Sequence, residues 1–497
     1  MINKRAISLL VALGVLIYAG IFLFSIKKIH EKPESLLITD VGRLYPTHVK
    51  EIVKENQVED LQKIINDSRE KHLKVSIAGS QHSQGGHTYY KDAVVLNIKD
   101  FNKVLNIDVK NRILTVESGA TWDDIQRYIN PYNLSVKVMQ SSNVFTIGGT
   151  LSANAHGRDL DTTSLIKTVR GFRLLLANST IVNVNRSENY ELFKSVIGGY
   201  GMFGVILDVD LDLTENEVYQ TQTIYVNYKE FPTYFEDHIK NNKTIALMLV
   251  RPSIDPDHIF EELAVLIWGR TDKKPQDSKL FDLGEEEHVA RTKFIFGLSR
   301  KYDWGKKLRW YFQKKYESKA GRLISRNNAM RPPETPIEFL QYRAPADTDI
   351  LQEYFIPTRN FINFTKEFKK ILQEDKVNVI SFTIRYVVPN NESYLSYAPN
   401  EDAFGIIYYS NVKLSEKGLK NTEKTVQKLV DLAIKNNGTY YLTYNLYPTQ
   451  KQIREAYPLI DDVFEKKKKY DPEELFMSKF YAKYALGEDE KSLGKIK

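Results

Sequence analysis

The chain has 497 residues, a formal net charge of +7 and no cysteine. At roughly 100–200 residues per domain this length holds two to four domains. The missing thiols exclude disulfides, zinc–thiolate sites, iron–sulfur clusters and thiol catalysis, but they leave the compartment undecided.

Ala6 to Ile26 contains no charged residue, and its length is about the ~20 residues that a membrane-spanning helix needs. Lys4 and Arg5 precede it, and Lys27, Lys28 and Lys32 follow, so the charge asymmetry that sets orientation is close to balanced. A cleaved signal peptide has a shorter apolar region and a small-x-small site, whereas this run ends in Phe22-Leu23-Phe24-Ser25-Ile26-Lys27. The expectation is a single-pass transmembrane anchor over 1–27 and a polar tether over 28–42.

Val58 to Lys71 carries Val58, Leu61, Ile64 and Ile65 at helical spacing. The apolar run Leu73–Ile77 then reads as a strand and breaks into Ala78-Gly79-Ser80-Gln81-His82-Ser83-Gln84-Gly85-Gly86-His87-Thr88. Small residues after a strand leave backbone N–H groups open, as in a nest for a diphosphate. Residues 93–98 and 113–117 read as strands, with a hairpin turn at Asn111-Arg112. Thr121 caps a helix that has Asp123 and Asp124 in its first turn.

Two further glycine stretches follow. In Thr146-Ile147-Gly148-Gly149-Thr150-Leu151-Ser152-Ala153-Asn154-Ala155-His156-Gly157, Thr146 can cap a helix and the small residues can lie against a ring or a phosphate. Gly199, Gly201 and Gly204 match G-x-G-x-x-G, but the residues after them, Val205 to Leu213, alternate apolar and acidic. The dinucleotide fingerprint must open a helix, and a period of two is a strand. This loop is therefore read as a close approach of backbone to a ligand.

Three glycine loops joined to strands in this order resemble the vanillyl-alcohol-oxidase flavoproteins, with their p-cresol-methylhydroxylase (PCMH) type FAD domain. Within that family the chain is most similar to aldonolactone oxidases and decaprenylphosphoryl-ribose oxidase. Gly79-Ser80-Gln81-His82-Ser83 resembles a G-x-G-H-S loop whose histidine can carry FAD covalently, with Gln81 where glycine is usual. The resemblance implies FAD held by Ala78, Gly79, Ser80, Gln81, His82, Ser83, Gly85, Thr146, Ile147, Gly148, Gly149, Ala153, Asn154, Ala155, His156, Val205, Ile206 and Tyr441, either bonded to His82 or lying beside it. The implied fold is α+β: a two-subdomain PCMH-type FAD domain over 43–215, a substrate (cap) domain over 216–460, and a segment over 461–497 that returns to the FAD domain through Asp471-Pro472 and Phe476.

In the cap, residues 336–357 end in a strand, 361–373 read as a helix, 377–388 and 405–412 as strands, 415–436 as a helix and 439–445 as a strand. Arg385 lies inside an otherwise apolar and hydroxyl-bearing strand, where it needs a partner: a surface ion pair, or developing negative charge on substrate or flavin. Tyr444 aligns with a catalytic lysine of decaprenylphosphoryl-ribose oxidase. Residues 300–331 mix eleven Lys and Arg with Trp304, Trp310, Tyr311, Phe312 and Tyr316, against only Asp303 and Glu317. Beside an anchor this favours a membrane surface over a solvated helix or nucleic acid. A last helix begins near Ala456, and Lys466 to Lys469 read as its solvated face.

The resemblance implies a membrane-anchored FAD oxidoreductase that moves hydride from a CH–OH carbon of a sugar, aldonolactone or sugar-lipid to flavin N5. Arg385, Tyr444 and His156 are its catalytic candidates, no metal is involved, and oxygen or a quinone accepts the electrons. The alternatives are a reductase of a sterol or prenyl double bond and a non-catalytic membrane-tethered subunit.

Overall fold

The computed structural model describes residues 4–29, 36–273, 278–285, 289–317, 321–331, 342 and 344–488. Parts of the tether, of the stretch before the cap strand and of the carboxyl end, together with Lys319, lie outside the described residues. Helix α1 (Lys4–Ile29) covers the apolar run. Among the described residues no helix is long and apolar enough to cross a membrane, so the structure lends no support to the expected transmembrane helix.

The first layer is parallel. β1 (Glu51–Val53), helix α2 (Val58–Glu70), β2 (Val75–Ala78) and β3 (Val94–Asn97) form a sheet of order β1-β3-β2. Helix α2 buries Leu61 and Ile65 in the same cluster as Val75, Val94 and Leu96, as its spacing predicts.

A second, antiparallel sheet follows: β4 (Val104–Asp108), β5 (Ile113–Glu117), β6 (Leu134–Val136), β7 (Val169–Leu175), β8 (Ile181–Asn185) and β9 (Val205–Glu215), in order β8-β7-β9-β5-β4 with β6 on β9. Arg112 takes φ 57° in the β4–β5 turn. Between β5 and β6, Thr121 and Asp124 close a reciprocal capping box on α3 (Trp122–Ile129). Between β6 and β7, the second glycine stretch forms α4 (Ile147–Ser152). The alternation expected after Gly204 holds only from Val209 onward. Val205 to Leu207 are buried on both faces because Val205 and Leu207 pack with the first sheet while Ile206 packs in the main core.

The third sheet has eight strands. β10 (Val218–Asn227), β11 (Ile245–Pro252) and β12 (Glu262–Arg270) come first. After helices α5 (Val289–Lys301) and α6 (Asp303–Glu317) come β13 (Leu323–Ser325) and β14 (Asp347–Pro357). Helix α7 (Phe361–Glu374), β15 (Val379–Val387), β16 (Ala403–Lys413), helix α8 (Glu416–Lys435) and β17 (Thr439–Tyr440) complete it, in order β13-β10-β12-β11-β15-β16-β14-β17. Period two divides the labour on β15. Phe382 meets Phe368 of α7 edge-on at 6.1 Å, while Ser381, Thr383 and Arg385 line a cavity on the other face.

Several expectations need correction. The strand predicted over 439–445 ends at Tyr440, and residues 441–444 turn instead. There Tyr441 N–H reaches Glu353 O (3.0 Å), and Thr443 O accepts from Gln84 N–H (2.9 Å) in the first glycine loop. A separate helix covers Gln450–Ala456 and another is Lys479–Tyr484; the helix expected to begin near Ala456 starts at Ile460 as α9 (Ile460–Tyr470), after Pro458. Its lysine run is not wholly solvated: Lys467 is fully buried in an ion pair with Asp471. The basic segment is also less free than its own sequence implies, because distant acids meet it. Arg300 pairs with Asp349, Lys307 with Asp257, Lys314 with Glu262, Arg326 with Asp159 and Arg331 with Asp123.

The carboxyl end joins the first sheet. Phe476 pairs in parallel with Val75, Met477 N–H donates to Val75 O (2.8 Å), and Ser76 Oγ donates to Met477 O (2.6 Å). Asp471 organises this turn by accepting from the backbone N–H of Leu475 and Phe476 (2.8 Å each) and by pairing with Lys467. Replacing Asp471 with Ala strands a buried ammonium and two N–H groups. The expected loss is about 3–5 kcal/mol, read as a shift in the urea unfolding midpoint.

Candidate active site

The three glycine loops and the inner face of the eight-stranded sheet enclose one cavity of about 1140 Å³. Of the residues singled out in the sequence, Gly79, Ser80, Gln81, His82, Ser83, Thr146, Gly148, Gly149, Ala153, Ala155, His156, Ile206, Arg385, Tyr441 and Tyr444 line it. Ala78, Gly85, Ile147, Asn154 and Val205 do not. Ala78, Ile147 and Val205 are core. The Asn154 side chain instead accepts from Ile166 N–H (3.2 Å). Gly85 packs against Tyr444 O and His87 so tightly that a Cβ would clash.

The first two loops interlock. A Cβ on Gly79 would overlap Thr146 Oγ1, and Ser80 Oγ donates to Val144 O (2.6 Å). Gln81 sits at φ 54°, the left-handed region where glycine is at home. The position therefore keeps the conformation of the family pattern without its residue. His82 Nδ1 lies 2.7 Å from Ser80 O, which assigns the proton to Nδ1 and leaves the Nε2 lone pair free. Burial, with Lys99 nearby, pulls this imidazole down to about 4. It is neutral at pH 7.

The second loop is held by residues between Arg385 and Tyr441. Tyr441 OH donates to Ala153 O (2.9 Å), Tyr397 OH to Asn154 O (3.0 Å) and Arg385 Nη1 to His156 O (3.2 Å). Arg385 Nη2 also donates to Ser141 Oγ (2.7 Å). His156 Nε2 lies 2.8 Å from Glu353 Oε1, and both side chains are almost completely buried. Gly405 leaves the room for this carboxylate, since a Cβ there would stand 2.8 Å from Oε1. Burial, and then the charge of Glu353, push the Tyr444 phenol well above its ordinary value. Tyr444 thus holds its proton and acts as a donor.

Sequence reasoning missed Glu353. The signal was the one that marked Arg385: a charged residue in an otherwise apolar strand.

The polar lining of the cavity fits FAD. Ser83 Oγ, Thr88 Oγ1, Ser142 Oγ, Thr146 Oγ1, His82 Nε2 and His156 Nδ1 are buried without a hydrogen-bond partner among the described residues, and all six residues line the cavity. Buried polar groups carry partners as a rule, so a polar ligand is what this wall lacks.

Residues 49–185 match the FAD binding domain family. These residues form an FAD-binding domain, and the cofactor of the chain is FAD. It is similar to L-gulonolactone oxidase of Bos taurus, with 24% identity over 221 residues, 44% of this chain and 48% of the relative. It is also similar to decaprenylphosphoryl-beta-D-ribose oxidase of Mycolicibacterium smegmatis, with 26% identity over 35% of this chain and 39% of the relative. L-galactono-1,4-lactone dehydrogenase of Arabidopsis thaliana shares 25% identity over 41% of this chain and 34% of its own length. The chain thus spans about half the length, or less, of these relatives.

His87 stacks on Phe480 at 5.2 Å, and burial holds its imidazole down at about 3. A histidine kept neutral in the folded state takes a proton more readily when unfolded, so its contribution to stability falls as pH drops from about 6.5 toward 3. Asp40, raised by burial to about 6, acts in the opposite sense, so the measure is a difference between variants. In urea unfolding, His87→Leu loses less stability between pH 7 and pH 5 than the parent chain.

Proposed function

We propose that the protein is an FAD-linked oxidoreductase that oxidises a CH–OH group of a sugar, an aldonolactone or a sugar-lipid. The observation that carries this reading is the buried His156–Glu353 pair, facing the same cavity as the three glycine loops. When bound, FAD supplies the hydride acceptor. Glu353, directly or through His156, takes the hydroxyl proton. Arg385 stabilises negative charge on the substrate oxygen or the flavin edge, and Tyr444 donates a hydrogen bond to the substrate. Within this reading, the lone pair of neutral His82 Nε2 supports a covalent bond to the cofactor. Oxygen or a quinone is the second substrate.

The same reading seats the chain on a membrane through α1. Its exposed side chains include Leu9, Val15 and Leu16. Tyr18 and Phe22 meet Phe294 of α5 edge-on at 5.4 and 6.5 Å. On α6, Trp304, Leu308 and Tyr311 are exposed at i, i+4 and i+7, one face of the helix. An apolar helix and a neighbouring aromatic stripe support a bilayer contact.

Purified full-length chain is expected to show the visible absorbance of flavin, to keep it through acid precipitation, and to release it in acid when His82 is Ala. Anaerobic addition of an aldonolactone, a polyol or a sugar-lipid bleaches it. Glu353→Gln slows that bleaching by roughly 10²–10⁴-fold while flavin stays bound. A colourless protein sinks the redox reading.

A further inference from the structure

The cavity reaches the outer surface at two places. Of the described residues that line it, Gly149, Gln222, Phe312 and Arg322 are exposed. Gly149 belongs to the second glycine stretch, on the side of the cofactor loops. The other three meet at a second mouth. Gln222 lies on β10, Thr221 N–H of the same strand donates to Arg322 O (2.9 Å), and Tyr225 OH donates to Lys314 O of α6 (3.3 Å). Strand β10 and helix α6 are thus the two lips of this mouth.

The outer face of α6 runs up to it. Trp304, Leu308, Tyr311 and Phe312 stand at i, i+4, i+7 and i+8, which is one face of a helix, and they are 37–57% exposed. Tyr302 extends the stripe by stacking on Trp304 at 5.4 Å. Phe312 belongs to the stripe and to the cavity wall at once. The helix is fixed in this rotation from behind, where Trp310 is buried and its Nε1 donates to Glu262 (3.3 Å). Single exposed apolar residues need no explanation, but a contiguous patch marks a contact.

Helix α5 lies between the cavity and α1. Its Ile295 and Phe296 line the cavity, while Phe294 turns outward to Tyr18 and Phe22. Gly297 lets the two helices approach, since a Cβ there would stand 2.8 Å from the Tyr18 hydroxyl. On α1, Leu9, Val11, Leu13, Val15, Leu16 and Ile17 are 54–71% exposed, and these positions fall on every side of the helix. A seam to another protein needs one stripe, whereas an all-round apolar surface suits lipid. The occupant that covers both α1 and the neighbouring α6 stripe is therefore a bilayer. Indole and phenol rings favour its headgroup layer, and a short amphipathic helix lies in that layer without crossing it.

We propose that the stripe of α6 lies in the headgroup layer of a phospholipid bilayer and that the mouth between Phe312 and Gln222 opens into that layer. A reactant dissolved in the bilayer then reaches Glu353 and the glycine loops without passing through water. This rests on the membrane seat read above, to which it adds the entrance. Phe312 is the side chain that stands between lipid and cavity, and Gln222 and Arg322 keep the rim polar toward the headgroups.

The test uses the full-length, flavin-loaded protein on phosphatidylcholine vesicles. Trp304 is the one exposed tryptophan of four; Trp122, Trp268 and Trp310 are buried. Nitroxide-labelled lipid is expected to dim the tryptophan emission, more with the label near the headgroup than at the chain end. Trp304→Phe loses this effect while still sedimenting with the vesicles. The chain has no cysteine, so a single introduced one reports the mouth. In Ser381→Cys, on the cavity wall, the thiol adds across the double bond of a maleimide: an S–C bond forms and the thiol proton moves to the neighbouring carbon. A dodecyl maleimide carried in the vesicles is expected to react about tenfold faster than a sulfonated one in water. The reverse order is expected for Lys451→Cys, whose position is 82% exposed on the helix Gln450–Ala456. Gln222→Cys, on the rim, decides the matter if Ser381→Cys does not fold. Sedimentation without dimming keeps the seat through α1 and overturns the entrance; no sedimentation removes both. Dimming with a cavity thiol that prefers the water-borne reagent overturns the mouth. The visible flavin spectrum of the same samples reports the oxidoreductase reading separately.

Discussion

The structure depends on a clamp across one short stretch of backbone. Ala153, Asn154 and His156 give their carbonyls to Tyr441, Tyr397 and Arg385, and the His156 ring faces Glu353. The Tyr397 contact and the His156–Glu353 pair are buried, and the Tyr441 and Arg385 contacts are part-buried. Without them the second glycine loop would leave acceptors unpaired in a dry interior, at a cost comparable to several lost hydrogen bonds. With them, the second glycine loop and the segments from Arg385 to Tyr441 become a single wall.

The glycine loops are positioned by what they cannot contain. Gly79 has no Cβ, so Thr146 can lie against it; Gly405 has none, so the Glu353 carboxylate fits beneath it. Gln81 reaches the left-handed conformation without being glycine, and His82 beside it sets Nδ1 against Ser80 O while lining the cavity. The carboxyl-terminal turn joins the first sheet, with the buried Lys467–Asp471 pair fixing Phe476 beside Val75.

Local pattern was legible wherever a residue's role is set by its neighbours in sequence. Helix α2, the Thr121 cap, the hairpin at Arg112 and the strand after Gly204 all follow from periodicity and turn chemistry. The loops that line the cavity were readable for the same reason, since small residues after a strand expose backbone. Where reading failed, the cause was a distant partner. Lys467 lies within a lysine run that looks solvated, and Asp471 buries it. The basic segment around α5 and α6 looks unpaired, yet its acids come from β14, β12 and residues 123, 159 and 257. The strand predicted through Asn445 stops at Tyr440, and the turn that follows hydrogen-bonds to Glu353 and Gln84.

The sequence by itself therefore determined the FAD-binding class of the first domain, several of its helices and strands, and the three glycine loops that border the cavity. Each of these is carried by short-range spacing, which propensity and periodicity encode directly. Only the tertiary structure decided which polar groups face one another across the cavity. It brought Glu353 to His156, gave Arg385 two partners from the FAD-side loops, and put Phe312 of α6 on the cavity wall. Charge pairing in a buried site is a property of three-dimensional distance, and residues 153 to 444 meet there only because two sheets close over a single cavity.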